Sequence, residues 1–395
     1  MNSPPSGRSC RALVQTPGVG DAEWVSYWLA TLAMAAPAYR QSDPKFAGRL
    51  MWAWDRAGGP YAPESNLLMA PLVLIDPDLP RISQTLVSEA MPKAGYAVLR
   101  ADFDRPSEKY LFFTCGRRRE EHWARHKHRD LNSFSLLAYG VPLSLDPGTG
   151  PYRMPDQELW HRATVSHSTV LFGGREQQVE DGRILQFVSK PGADYLVADA
   201  SAASPVLQFY RHILFVKPDY FIVWDFIRSY VPAEWMLHTP AREIVKTEHS
   251  FECRTPWEVD LDVHVLLPKE PIDTVEGGGR FGAWQNPDGR GAPPFTHQKY
   301  VRIRNTPNRD FLTVLHARGR KDPRLTTRLV GTTENVLEIK TGASTDYVLL
   351  FPVPRDFTDD ALGIAMRGRV GVVRPGGLTL VDGERLCFQG KEVTA

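Results

Sequence analysis

Cysteine is scarce in this 395-residue chain: Cys10, Cys115, Cys253 and Cys387 lie far apart, with no C-x-x-C pair among them. That spacing argues against a disulfide framework and against a thiolate metal site. Charge of one sign is also lacking, because 47 basic residues stand against 46 acidic ones for a net charge of +1. No whole-protein field then draws the chain to nucleic acid or to an anionic membrane, and any site for a polyanion has to be local. No run of about 18 apolar residues occurs, which removes a transmembrane helix. The N-terminus, MNSPPSGRSCRALVQTPGVGDAEW, has no charged segment leading into an apolar one and does not read as a secretory signal. Neither an H-E-x-x-H helix nor the adjacent acidic motifs of a paired-carboxylate glycosidase is visible.

What is present is a globular composition, 42% hydrophobic, in a chain long enough for two domains and a large core. Between residues 21 and 75 the apolar positions of AEWVSYWLATLAMAAPAY, KFAGRLMWAWDRA and ESNLLMAPLVLI recur at helical spacing. With Asp21 and Ser42 or Asp43 as caps, three helices are expected there. Pro77 and Pro80 end that texture. From Gly95 onward, β-rich runs such as YAVLRADF, KYLFFTCG, SFSLLAYG, HILFVK, YFIVWDFI, VDLDVHVLL, KYVRIRN, FLTVLHA and DYVLLFPV alternate with Gly, Pro, Asn and Asp turns. The rhythm predicts a mainly β protein built on a large antiparallel β-sandwich. Lys217-Pro218-Asp219 reads as a hairpin turn, and the Gly/Pro-rich stretch 276–297 as a surface loop.

The chemistry concentrates between His126 and Val170, where HKHRDLNSF, SLDPGTGPY and SHSTVLFGG follow one another. If HKHRDLN is an extended strand, His126, His128, Asp130 and Asn132 share a face, since residues i and i+2 do so. Imidazole nitrogen and carboxylate oxygen are common zinc ligands, and His128, Asp146 and His167 can supply three from neighbouring strands with a fourth position left for water. A histidine on a strand also has a plainer use, as a hydrogen-bonded structural residue. Arg117, Arg118, Arg119, Arg125, Lys127 and Arg129 form the densest basic stretch, suited to an anionic sugar or, offset by Glu120 and Glu121, to a solvated loop.

H-x-H-x-D-x-N-S-F from His126, D-P-G from Asp146 leading to Tyr152, and H-S-T-V from His167 together resemble the C-terminal part of the heparinase II/III-like polysaccharide lyases. RHILFVKPDYFIVWD, from Arg211 to Asp225, resembles a later hairpin of that family, and the resemblance covers most of the chain. It implies cleavage of a uronate-containing polysaccharide, such as alginate or a glycosaminoglycan, by β-elimination. It also implies a periplasmic or secreted location. His128, Asp146 and His167 match the family's zinc ligands one by one, and His126 matches a catalytic position. Ser168 stands where the family usually has Asn.

In that family an α/α toroid precedes the sandwich and carries a catalytic Tyr with an Asn or His, upstream of a P-x-x-G-D-A-like segment. Here PGVGDA occupies residues 17–22. The expectation is a family member truncated at its N-terminus, with residues 1–85 a helical remnant of the toroid and residues 86–395 the sandwich domain. Tyr152 can exchange a proton or simply pack at a loop exit. Arg125, Arg129, Asn132 and His238 are the expected contacts to an anionic polysaccharide, with no nucleic-acid or membrane partner, and Zn²⁺ is the expected cofactor. A metal-stabilised carbohydrate-binding sandwich without chemistry is the first alternative, and a metal-dependent hydrolase the second.

Overall fold

The computed structural model describes residues 29–56, 75–116, 127–149, 155, 157–280, 297–332, 336–342 and 344–395. They fall into two compact units. One takes the described parts of Met1–Leu86, Asp146–Arg162 and Arg280–His297; the other takes those of Val87–Leu145, Ala163–Gly279 and Gln298–Ala395.

In the first unit the helix Leu29–Ala35 runs through a 3₁₀ turn, Ala36–Tyr39, towards the helix Pro44–Arg56. Asp43 caps that last helix, accepting the Phe46 amide at 2.9 Å, and Pro44 occupies the first helical position, where its missing N–H costs nothing. Ala47, Met51 and Trp54 then share one helical face and bury against Ala33, Ala36 and Leu79. The third expected helix, in residues 64–75, falls outside the described residues apart from Ile75. Among the described residues no helix is long and apolar enough to cross a membrane.

In the second unit the described strands form four antiparallel sheets of five, eight, four and six strands. The eight-stranded sheet is the middle layer. From edge to edge its strands are Glu243–Lys246, Ser250–Arg254, Val259–Leu267, Phe311–Gly319, Tyr220–Arg228, Gln208–Val216, Ala193–Asp199 and Arg183–Ser189. Phe209, Ile213 and Phe215 point to one core, shared with Phe113, Phe134 and Trp235 of the five- and four-stranded sheets. Leu214 and Val216, the alternate positions, join a second core with Ile339, Val348 and Val370 of the six-stranded C-terminal sheet. A strand covered on both faces reads as an unbroken apolar run, which is why RHILFV shows no polar alternation. Each fully buried aromatic or aliphatic side chain here contributes about 1.5–3 kcal/mol relative to exposure.

Two local expectations change. Residues 127–132 are irregular chain and turn, and the strand begins only at Ser133, so the shared strand face of His128, Asp130 and Asn132 does not exist. Asp130 and Asn132 supply the reason, because both residue types favour turns and Asn132 adopts a left-handed φ of 58°. Conversely, Asp273–Arg280 is a strand that runs into the expected 276–297 loop, and another strand opens at His297. Gly277 is used there for close approach, since a side chain at that position would collide with the Tyr300 ring.

Candidate metal centre

Three short segments deliver the residues. His128 lies in irregular chain just before the turn Asp130–Ser133, which is closed by the Ser133 amide donating to the Asp130 carbonyl at 3.1 Å. The strand Val141–Ser144 leads through Leu145 to Asp146. Asp146 is followed by an Asx turn in which Gly148 donates its amide to Asp146 Oδ1 at 3.0 Å. His167 follows the 3₁₀ turn Thr164–Ser166, with its amide on the Thr164 carbonyl at 3.2 Å.

The strand Ala233–Thr239 fixes the last two segments through the backbone of one residue, His238. Its carbonyl accepts the Leu145 amide at 3.0 Å, and its amide donates to Ser168 Oγ at 3.1 Å. The chain is therefore pinned one residue before Asp146 and one residue after His167. As a result one ligand atom from each of His128, Asp146 and His167 lies within 4.8 Å of the other two. The rings of His128 and His167 are 5.4 Å apart between centroids and tilted by 49°.

All three side chains are buried. Two imidazoles and one carboxylate match the donor set zinc prefers, and a tetrahedral ion bonded at about 2.0–2.1 Å would need its ligand atoms about 3.3 Å apart. The donor types and their closeness fit a zinc ion.

His238 has its imidazole fully buried, with Gln298 Nε2 donating to Nδ1 at 3.1 Å. Burial first, and the neighbouring His167 second, push it down to about 3, so it stays neutral. Asn132 is also fully buried, and its Nδ2 donates to the Phe209 carbonyl at 3.5 Å. Both residues make their described contacts with protein. Arg129 is partly exposed beside His128. His126, Tyr152 and Arg125 lie outside the described residues.

Sequence reasoning missed the groups that hold the two histidine segments together. Gln177 bonds both backbone groups of Leu131, at 3.0 Å each, and Thr169 Oγ1 donates to the same carbonyl at 2.8 Å. Arg211 donates from Nη1 to the carbonyls of Asn132 and Ser168, the second at 2.8 Å. Its Nε and Nη2 grip Asp225 at 2.7 and 2.8 Å, with both side chains fully buried. A signal for this pair was present, because Arg211 and Asp225 are equidistant from the Lys217–Asp219 turn and therefore oppose each other in the hairpin.

The family described as heparinase II/III-like, C-terminal, matches residues 83–342. No curated protein matches the sequence. Among solved structures, the heparan sulfate lyase HepC from Pedobacter heparinus superposes with a TM-score of 0.62 at 15% identity, over 94% of this chain and 51% of that one. A crystal structure of heparinase III superposes with a TM-score of 0.63 at 14% identity, over 84% and 50% of the two chains. These likenesses are of fold, and this chain spans about half the length of the structures it matches. With the matched segment covering His128, Asp146 and His167 and most of the sandwich, the chain belongs to the heparinase II/III-like family and carries its C-terminal domain.

Proposed function

We propose that the protein is the β-sandwich part of a polysaccharide lyase that cleaves a uronate-containing chain, such as alginate or a glycosaminoglycan, by β-elimination. The observation that carries this reading is the convergence of His128, Asp146 and His167 in a member of the heparinase II/III-like family. In the same reading residues 1–85 are the helical remnant of a toroid and residues 86–395 the sandwich domain.

Elimination requires that the uronate carboxylate be neutralised, that a base take the C5 proton, and that an acid protonate O4 as the C4–O4 bond breaks. We assign the base to His126, whose imidazole titrates near working pH. Neutralisation falls to Arg125 and Arg129, and protonation to Tyr152. Zn²⁺ is the ion assigned to His128, Asp146 and His167, in a structural role that holds the segment bearing His126; the burial of all three ligands supports structure over water activation. The same burial favours one alternative, a metal-stabilised carbohydrate-binding sandwich without chemistry.

A uronate polymer and its carboxyl-reduced counterpart, offered side by side in oxygen-labelled water, test the proposal. Any cleavage is expected of the uronate polymer alone, with rising ultraviolet absorbance from the new C4=C5 bond and no label at the new non-reducing end. Binding without cleavage selects the carbohydrate-binding alternative. Cleavage of both polymers with label incorporated defeats elimination and indicates hydrolysis.

A further inference from the structure

We infer that Arg211 is a positioning residue that sets the two histidine segments against each other, so that His128 and His167 converge. The inference rests on the metal reading above for its effect on ion binding, and on geometry alone for its effect on the rings. One guanidinium group satisfies the Asn132 carbonyl, four residues after His128, and the Ser168 carbonyl, directly after His167. Those carbonyls are 79 and 43 residues distant from Arg211 in sequence, so the interaction is one that only the folded sandwich makes.

The choice of arginine is chemically specific. Four hydrogen bonds leave from three nitrogens of one rigid plane, two to carbonyls and two to Asp225. A lysine ammonium is a single point and cannot span that arc. The plane itself is held by the rings of Phe134 and Phe209, at 5.6 and 6.0 Å from its central carbon. Asp225 completes the device by cancelling the charge, so donors reach the ligand segments without placing a net cation beside an ion. A buried ion pair of this kind is weak evidence for stability, because well-packed apolar residues often replace one without loss. Its placement under both ligand segments gives it a geometric use. Thr169 and Gln177 tie Leu131 to the His167 side independently, so removal of Arg211 should loosen the convergence without dissolving the fold.

The test uses the whole chain. Arg211→Met/Asp225→Leu removes the pair as a unit and avoids an orphaned buried charge, and Arg211→Lys keeps the charge but not the span. Metal-free protein is titrated with Co²⁺, whose visible absorption is strong in tetrahedral and weak in octahedral sites. The nuclear Overhauser effect between the His128 and His167 rings is measured on the same metal-free protein. The variants are expected to fold, to bind Co²⁺ with 10- to 100-fold lower affinity, the range for groups that orient ligands, and to show no Overhauser effect between the two rings. Wild-type affinity, spectrum and inter-ring effect in a folded variant overturn the inference. If the wild type itself takes up no metal while the inter-ring effect vanishes in the variants, the metal reading falls and the positioning role stands. Should the double variant not fold, the same two readouts on Arg211→Lys decide.

Discussion

The hydroxyls of Ser144 and Ser168 lie 3.1 Å apart in the interior, two residues before Asp146 and one after His167. Ser168 Oγ also accepts the His238 amide, so one hydroxyl links the strands Val141–Ser144 and Ala233–Thr239 to the irregular segment that bears His167.

Ser168→Ala removes both bonds and leaves a buried amide and a buried hydroxyl to find other partners. The expected loss is about 1–3 kcal/mol, read as a lower urea midpoint at unchanged slope. A midpoint equal to wild type contradicts the described network.

His128→Ala should lose zinc. Elemental analysis of the purified protein is expected to give one Zn²⁺ in the wild type and a clear deficit in the variant, with thermal stability falling in parallel because metal binding contributes to folding. Equal zinc in both proteins removes His128 from the ligand set.

His126→Ala should keep zinc and fold while losing whatever turnover the protein or a longer form shows, by the 10²- to 10⁴-fold typical of a removed acid–base group. A zinc deficit in this variant instead means that the two histidines exchange roles.

Stability should fall below about pH 6.5 through His212. Burial pushes its imidazole down to about 3, next to the Tyr195 hydroxyl at 2.7 Å and the Trp224 ring at 4.8 Å. The unfolded chain then binds a proton that the folded chain refuses, so the contribution is complete above the unfolded value of about 6.5 and is lost as pH falls towards 3. The slope is about 1.4 kcal/mol per pH unit for this residue. Urea midpoints between pH 7 and 4 measure it, and His212→Gln, which still offers Tyr195 an acceptor, should flatten the curve. An unchanged slope in that variant shifts the effect to other buried groups.

Much of this architecture was legible because strands carry their own signature. SFSLLA, YFIVWDFI and FLTVLHA lie on strands, and the motifs bearing His128, Asp146 and His167 lie in chain order along one segment. The errors have local physical causes. HKHRDLN resembles a strand by alternation, but Asp130 and Asn132 are turn formers, and the turn takes precedence. Gly277 to Gly279 resemble a loop by composition, yet Gly277 is a strand residue that makes room for Tyr300. The role of Arg211 was hidden for another reason. Periodicity reports which face a side chain takes, and a face says nothing of which distant carbonyls wait there.

The layered order of the sheets bears on how the domain can be cut. The family match ends at residue 342, between the strands Val336–Thr341 and Ser344–Asp359, which pair in the six-stranded sheet. A protein ended there would keep Val336–Thr341 as a bare edge, ready to recruit strands from other chains. It would also strip Val348, Val370 and Val372 from the core over Leu214 and Ile222, exposing an apolar face. The matched segment is thus shorter than the set of strands that packs together, and aggregation rather than inactivity would be the first sign of trimming to residue 342.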